Sequence, residues 1–396
     1  MPVRGSVLVS GAGVAGTAAA YWLSRSGWDV VLVERAAALR TAGQNIDVRG
    51  AARTVVRRMG LEAHLLAAGT GEVGTRFVDR RGRTVAEFPA GTADTDGPTA
   101  EMEVLRGELV ASLDALLRDR VAHRYGDSVR AVVQDAEGVD VEFAHGPPGR
   151  FDLLVVAEGF HSHTRRLVFG DVRLRDLGQY MAYGTVPRTA EDDHWWRWLP
   201  AGRGRAVMLR PDNVGTTRAL LAFLGPPTGL ERRAPREQVA HLREVFADVG
   251  WAAPRILGAL AADHDDFYLD RVGQVHAPRW THGRVALTGD AAYCPSPISG
   301  MGTSLALTGA YVLAGELTAR QDHAAAWGAY EALMRPYVRR AQQLPPGGPR
   351  LVNPVSGVGV SVLHTVMRLA ASRVGRAVTA RLFAPPADSI ALPAYP

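Results

Sequence analysis

The sequence contains no lysine: all 45 of its basic residues are arginine. That absence excludes a Schiff-base lysine, pyridoxal-phosphate chemistry and a P-loop NTPase with its phosphate-gripping lysine. Cysteine is nearly absent as well. The single Cys294 rules out an intrachain disulfide, an iron–sulfur cluster and a thiolate zinc site, and fits a reducing compartment. No run of five or more arginines occurs, although the net charge is +5. Doublets such as Arg57-Arg58, Arg80-Arg81, Arg232-Arg233 and Arg339-Arg340 read as solvated faces, so no nucleic-acid partner is expected. The apolar stretch Val7–Leu23 behind Arg4 could pass for a signal peptide. It carries Gly11, Gly13 and Gly16, however, and a second apolar strand follows at once. A cytoplasmic protein without a membrane partner is the expectation.

What is present is a chain of 396 residues, enough for two or three domains with a large core. Its opening reads as a buried strand at Ser6–Ser10, a helix over Thr17–Ser26 closed by Gly27, and a second buried strand at Asp29–Glu34. That is a βαβ unit of about thirty residues. Further along, Val104–Arg120 reads as a helix, Phe151–Ala157 and Val285–Thr288 as buried strands, and Thr303–Leu317 as a helix. Tyr180–Phe223 is strand-like and rich in aromatics, including Tyr183, Trp195, Trp196 and Trp198. A Pro/Gly break at 345–349 precedes a last helical segment near Val360–Phe383.

Between the first strand and helix stands Gly11-x-Gly13-x-x-Gly16. The first glycine allows a tight turn, the second lets backbone approach a pyrophosphate, and the third lets helix and strand pack closely. The helix start then offers unpaired N–H groups to phosphate. Glu34 ends the next strand, 18 residues after Gly16, where a carboxylate can accept from a ribose hydroxyl. Its charge argues against a 2′-phosphate in this loop. Gly11, Gly13, Val14, Ala15, Gly16, Glu34 and Arg35 are therefore assigned to a dinucleotide. The loop alone does not distinguish FAD from NAD.

A second motif does. The strand after Gly283 ends in Gly289-Asp290 and leads through Pro295-Ser296-Pro297-Ile298-Ser299-Gly300-Met301-Gly302 into a helix. A carboxylate there can grip a ribityl chain, and Pro297, Gly300, Gly302 and Thr303 aim a helix start at a second anion-like group. The pyrophosphate is already placed at the first loop, so the second helix start faces the flavin ring. An NAD dehydrogenase has no use for it.

Gly43-Gln44-Asn45-Ile46-Asp47-Val48-Arg49-Gly50, Glu103-Val104-Leu105-Arg106-Gly107 and Gly289-Asp290-Ala291-Ala292-Tyr293-Cys294-Pro295-Ser296-Pro297 complete the pattern. Through them the chain resembles FAD-dependent monooxygenases of the para-hydroxybenzoate hydroxylase class, most of all the tetracycline-inactivating monooxygenases. The resemblance spans nearly the whole chain. It implies an α/β fold: a Rossmann-like FAD-binding domain in three segments (1–75, 101–178 and 273–344), a mixed β-sheet substrate domain (76–100 and 179–272) and a C-terminal helix (350–385). It places Arg106 on the cofactor, Asp47 beside the flavin, Arg40 at the NADPH approach and Asp290 on the ribityl chain. The family's Asp-Gly motif appears here as Glu158-Gly159, with Ser162 and Arg165 in their places.

The implied activity uses noncovalent FAD, NADPH or NADH and O2 to oxygenate a polycyclic or phenolic, polyketide-like molecule by way of a flavin C4a-hydroperoxide. The substrate residues expected are Tyr183, Arg205 and Phe223, in a monomer or weak homodimer. No side chain is assigned as catalytic, because the cofactor carries the chemistry. An oxidase, a non-redox cyclase using FAD as scaffold, and a flavin-binding sensor remain alternatives. No metal is expected: His161-x-His163 lacks a third ligand, and Asp263-His264-Asp265-Asp266 lacks EF-hand spacing. Cys294 reads as a small packed side chain and Gly357-x-Gly359 as a loop.

Overall fold

Five parallel strands, Val285–Leu287, Leu153–Val156, Ser6–Ser10, Asp29–Glu34 and Val121–Tyr125, lie side by side in that order. A short antiparallel strand, Thr281–His282, closes one edge. The computed structural model describes residues 4–40, 42–90, 100–262, 266–345, 347–372, 375 and 386–395. The inner strands are continuous apolar runs, as a sheet covered on both faces requires. Because they run parallel, all their C-terminal ends meet at one edge, where ligands of open α/β sheets bind. The helices Val14–Arg25 and Gly302–Ala319 pack on each other over this sheet.

A seven-stranded mixed sheet forms the second layer system. Its order is Tyr268–His276, Arg173–Pro187, Thr216–Leu224, Arg205–Pro211, Trp195–Gly202, Gly74–Val78 and Thr84–Pro89. One face buries Tyr180, Val207, Leu221 and Phe223 under the helices Pro235–Val245 and Ala253–Ala262. The other carries Met181, Tyr183, Met208, Trp196, Trp198 and Leu220, and Ile298 of the second glycine loop packs against it. The short strand Asn45–Asp47 pairs with Glu103–Leu105 and reaches the large sheet: Asn45 Nδ2 donates to Pro211 O at 2.9 Å.

Several sequence expectations need correction. The first helix begins at Val14, not Thr17, because Thr17 N already donates to Gly13 O. Val104–Arg120 is not one helix: Glu103–Leu105 is a strand paired with Asn45–Asp47, and the helix covers Arg106–Ala115. Leu105, Leu109 and Leu113 keep a period of four across that junction and so conceal it. Phe151–Ala157 shortens to Leu153–Val156, since Phe151 pairs with Val139 in a separate three-stranded meander. Gly357-x-Gly359 is the first turn of a helix, Gly357–Ala371, capped by Ser356, rather than a loop. Most of the expected continuation to Phe383, and Asp263–Asp265 of the acidic cluster, lie outside the described residues.

Candidate active site

At the sheet's C-terminal edge the strand Ser6–Ser10 runs into the glycine loop. Gly11 has φ +103°, and a Cβ there would stand 2.6 Å from Ala157 O. A Cβ on Gly16 would stand 1.8 Å from Gly11 O. These two glycines are demanded by the protein's own backbone. Gly13 is different: a Cβ there meets nothing within 4 Å. It caps the helix with no side-chain hydrogen bond, so the helix's first N–H groups face open space. Half-buried Glu34 accepts from Ala12 N and Ala36 N, both at 2.9 Å, and so shapes the loop it was expected to serve. Val14 is half-buried, Ala15 buried and Arg35 exposed.

The second loop comes directly alongside. Gly289 has φ +61°, and a Cβ there would lie 2.5 Å from the Ala15 methyl. Asp290 follows as the first residue of a short helix, with its carboxyl raised above the ordinary range by burial. Pro297 and Gly300 are exposed; Gly302 and Thr303 are half-buried at the start of the helix Gly302–Ala319. That 18-residue helix has no side-chain cap, and Cβ atoms on Gly300 and Gly302 would meet nothing within 4 Å. Two uncapped helix starts thus flank the same space, a cradle that suits a group negative at two points.

Arg106 opens its helix half-buried and donates to Ala42 O at 2.9 Å. Burial, together with the charge of exposed Arg40, lowers its pKa, so an anion between the two arginines would be favoured. Asp47 is paired with buried Arg49 at 3.2 Å, while its Oδ1 is buried without a partner. Such an oxygen invites a donor from a ligand. Glu158 has a structural task. Its carboxylate accepts from Ser10 Oγ at 2.6 Å, from Ser162 Oγ at 2.7 Å, and from both the hydroxyl and the N–H of Thr164. Arg165 bridges this turn to the second loop through Phe160 O and Ala291 O.

Strand alternation separates the expected substrate residues by face. The register aligns Tyr268, Tyr183, Leu220, Met208, Trp198 and Phe77 in one row across the large sheet, on the face toward Ile298. Tyr183 belongs to it, and its hydroxyl donates to the Met181 sulfur at 3.2 Å. Arg205 and Phe223 pair with each other in a row on the opposite face. Arg205 is bound to Val245 O and Asp248, and Phe223 stacks on Tyr180 beneath the helices. The structure therefore does not bring these two together with Tyr183. Aromatic content marked the strands, but not which way each residue faces.

Sequence reasoning also missed a buried ionic cluster on the sheet face toward Ile298. Arg210 pairs with Glu72 at 2.8 Å and Glu103 at 2.7 Å and lies over the Trp196 ring at 4.3 Å. Burial, reinforced by Glu72 and Asp47, pushes Glu103 up to about 8 against the opposing pull of Arg210. No local pattern could reveal it, since its members come from three separate segments.

The model of a family described as FAD binding domain matches residues 4–343. A flavin-dependent monooxygenase of Legionella longbeachae is 37% identical over 343 residues, covering 85% of this chain and 87% of that protein. An uncharacterized protein of Mycobacterium tuberculosis is 41% identical over 344 residues, 86% of this chain and 92% of its own length. The crystal structure of tetracycline destructase Tet(51) superimposes with a TM-score of 0.80 at 32% identity, covering all of both chains.

Proposed function

The chain belongs to the FAD-binding-domain family and is an FAD-dependent monooxygenase, and from that premise we propose that it uses NADPH or NADH to oxygenate a phenolic or polycyclic, polyketide-like small molecule. The carrying observation is the row from Tyr268 to Phe77, an apolar and aromatic wall facing the second glycine loop. Flat ligands of drug size fit such walls, with a few polar groups fixing their orientation. Here those groups are the Tyr183 hydroxyl and the Arg210 cluster. The likeness to a tetracycline destructase supports testing tetracyclines among the candidates.

Bound FAD supplies the hydride acceptance and the activation of O2. The protein's own residues bind and orient. In this reading Gly13 would admit the pyrophosphate, Glu34 would accept from the ribose, Asp290 would hold the ribityl chain, and the start of the helix at Gly302 would favour negative charge on the ring. Asp47 and Arg106 would hold the ring's surroundings polar, and the wall of Tyr183, Met208 and Trp198 would exclude water. No described helix is long and apolar enough to cross a membrane. A cytoplasmic location, where reduced nicotinamide is at hand, and a monomer or weak homodimer complete the proposal.

The test is to incubate phenolic polyketides, tetracyclines among them, with NADPH or NADH under labelled O2. One labelled oxygen atom per product is expected. Conversion without O2 or reductant would favour a non-redox cyclase. For the reductant's route, Arg40 is exposed beside Arg106 and suits phosphate recognition. Arg40→Ala is expected to slow flavin reduction in stopped flow several-fold while leaving FAD retention nearly unchanged. Equal reduction rates would remove Arg40 from that role.

A further inference from the structure

A cavity of about 460 Å³ opens between the edge of the large sheet and the end of the helix His323–Ala341. Its lining includes Arg175, His276, Arg339 and Gln342, and no carboxylate. Arg173 pairs with His276 and Arg175 with Gln274 across neighbouring strands, so these four side chains stand on one face. The helix brings Arg339 to the same cavity from its last turn. The doublet Arg339-Arg340, which reads in the sequence as a solvated face, is thus divided. Arg340 donates to Ser389 O, while Arg339 lines the cavity.

The elements around this cavity spend their carboxylates elsewhere. Asp176 pairs with Arg271 at 2.5 Å, Asp270 with His161 at 2.8 Å, and Glu331 with Arg335. Among the described residues no ion pair reaches Arg173, Arg175 or Arg339. Cations gathered in this way repel one another unless an anion joins them. Gln274 is wholly buried, and its Nε2 donates to Pro295 O at 3.1 Å and Gln342 O at 2.8 Å. Its Oε1 is thereby left to Arg175 at 3.4 Å and His276 Nε2 at 3.1 Å. His276 therefore donates from Nε2, and Nδ1 is the atom that titrates. Burial lowers its pKa, and Arg175 and Arg173 lower it further. A bound anion would act in the opposite direction.

We infer that this cavity binds the phosphate group of a small molecule, and that its occupancy steadies the second glycine loop and with it FAD. The planar forks of Arg175 and Arg339 suit phosphate oxygens, and His276 adds a third donor beside them. The volume is that of a small-molecule site and leaves room for more than a bare ion. The link to the loop is a buried hydrogen-bond network. Gln342 lines the cavity, and its Nε2 donates to Val275 O at 2.7 Å and Cys294 O at 3.2 Å. Gln274 holds Pro295 O, where the loop begins. Coupling of this kind is reciprocal: a ligand that favours the ordered loop tightens FAD, and FAD tightens the ligand. The site is independent of which substrate is oxygenated.

The FAD-loaded protein with 13C-labelled histidine is followed against pH, the His276 resonance being identified by its loss in His276→Gln. Bound FAD keeps the first glycine loop filled, so phosphate cannot report from there. Inorganic phosphate is expected to raise the His276 midpoint by about one pH unit, whereas chloride at equal ionic strength leaves it nearly in place. Arg175→Gln combined with Arg339→Gln changes two exposed side chains, so the variant should melt as wild type does. It should bind phosphate about tenfold more weakly. Ribose 5-phosphate is the second probe: tighter binding than phosphate marks an organic phosphate as the ligand, and equal binding marks the free ion. A midpoint that neither probe moves, or that chloride moves equally, would overturn the site. The coupling is read from FAD release on dilution, through the return of flavin fluorescence. Phosphate should slow release about fivefold in wild type and leave the double variant unchanged. Equal release with and without phosphate, in protein whose His276 midpoint has moved, would overturn the link to the loop and leave the site.

Discussion

Gly13→Val is expected to give a folded but colourless protein. A Cβ at this position meets no protein atom within 4 Å, so the apoprotein should melt as wild type does. The branched side chain instead fills the space before the uncapped start of the helix Val14–Arg25, where backbone N–H groups would receive the pyrophosphate. Loss of that approach should weaken FAD binding on the order of 100-fold, about 3 kcal/mol. Gly16→Ala provides the contrast. Its methyl would stand 1.8 Å from Gly11 O, so it should destabilise the βαβ unit itself. Visible absorbance after gel filtration, read beside a melting curve, separates the two outcomes. A yellow Gly13→Val protein would show that the pyrophosphate lies elsewhere.

Arg210→Leu is expected to cost about 3–5 kcal/mol of stability, since it removes the guanidinium that binds buried Glu72 and Glu103. The Glu72 side chain is wholly buried and that of Glu103 is 3% exposed, so water cannot take the place of the guanidinium. The loss should depend on pH in a defined direction. Glu103 titrates near 8 in the fold, against 4.5 for the ordinary group. Between those values the folded protein holds a proton that the unfolded chain has released. Stability contributed by this group is therefore full below the lower value and declines as pH rises through the window. Without Arg210 the carboxyl rises further, which widens the window upward. Denaturant melts at about pH 5 and about pH 9 should show a larger gap between variant and wild type at the higher pH. An equal gap at both would mean that Glu103 does not titrate in this window.

The Arg210 cluster also shows where sequence reading stops. Glu103 sits in a phrase, Glu103-Val104-Leu105-Arg106-Gly107, that resemblance tied to the cofactor through Arg106 alone. Leu105, Leu109 and Leu113 repeat at helical spacing, and only pairing with Asn45–Asp47 reveals the strand that turns the Glu103 side chain toward Arg210. The cavity of Arg175, His276 and Arg339 was equally hidden, because two strands and a helix supply it. His161 read as a loop histidine, and its partner lies 109 residues away.

By itself the sequence determined the local chemistry of this protein. Gly11, Gly13 and Gly16 between a buried strand and a helix, Glu34 at the next strand end, and Gly289-Asp290 before a second glycine loop are all short-range patterns. Each is set by backbone sterics and hydrogen bonding within a few residues, so spacing alone exposes it. The tertiary structure decided everything that depends on facing. A strand's period of two divides its residues into two sets without saying which set is inward, and cross-strand pairing made that choice. It turned Tyr183 toward the second loop, sent Arg205 and Phe223 under the helices, and set Arg173 and Arg175 beside His276 and Gln274. Contacts between residues far apart along the chain are settled by packing, which no local spacing encodes.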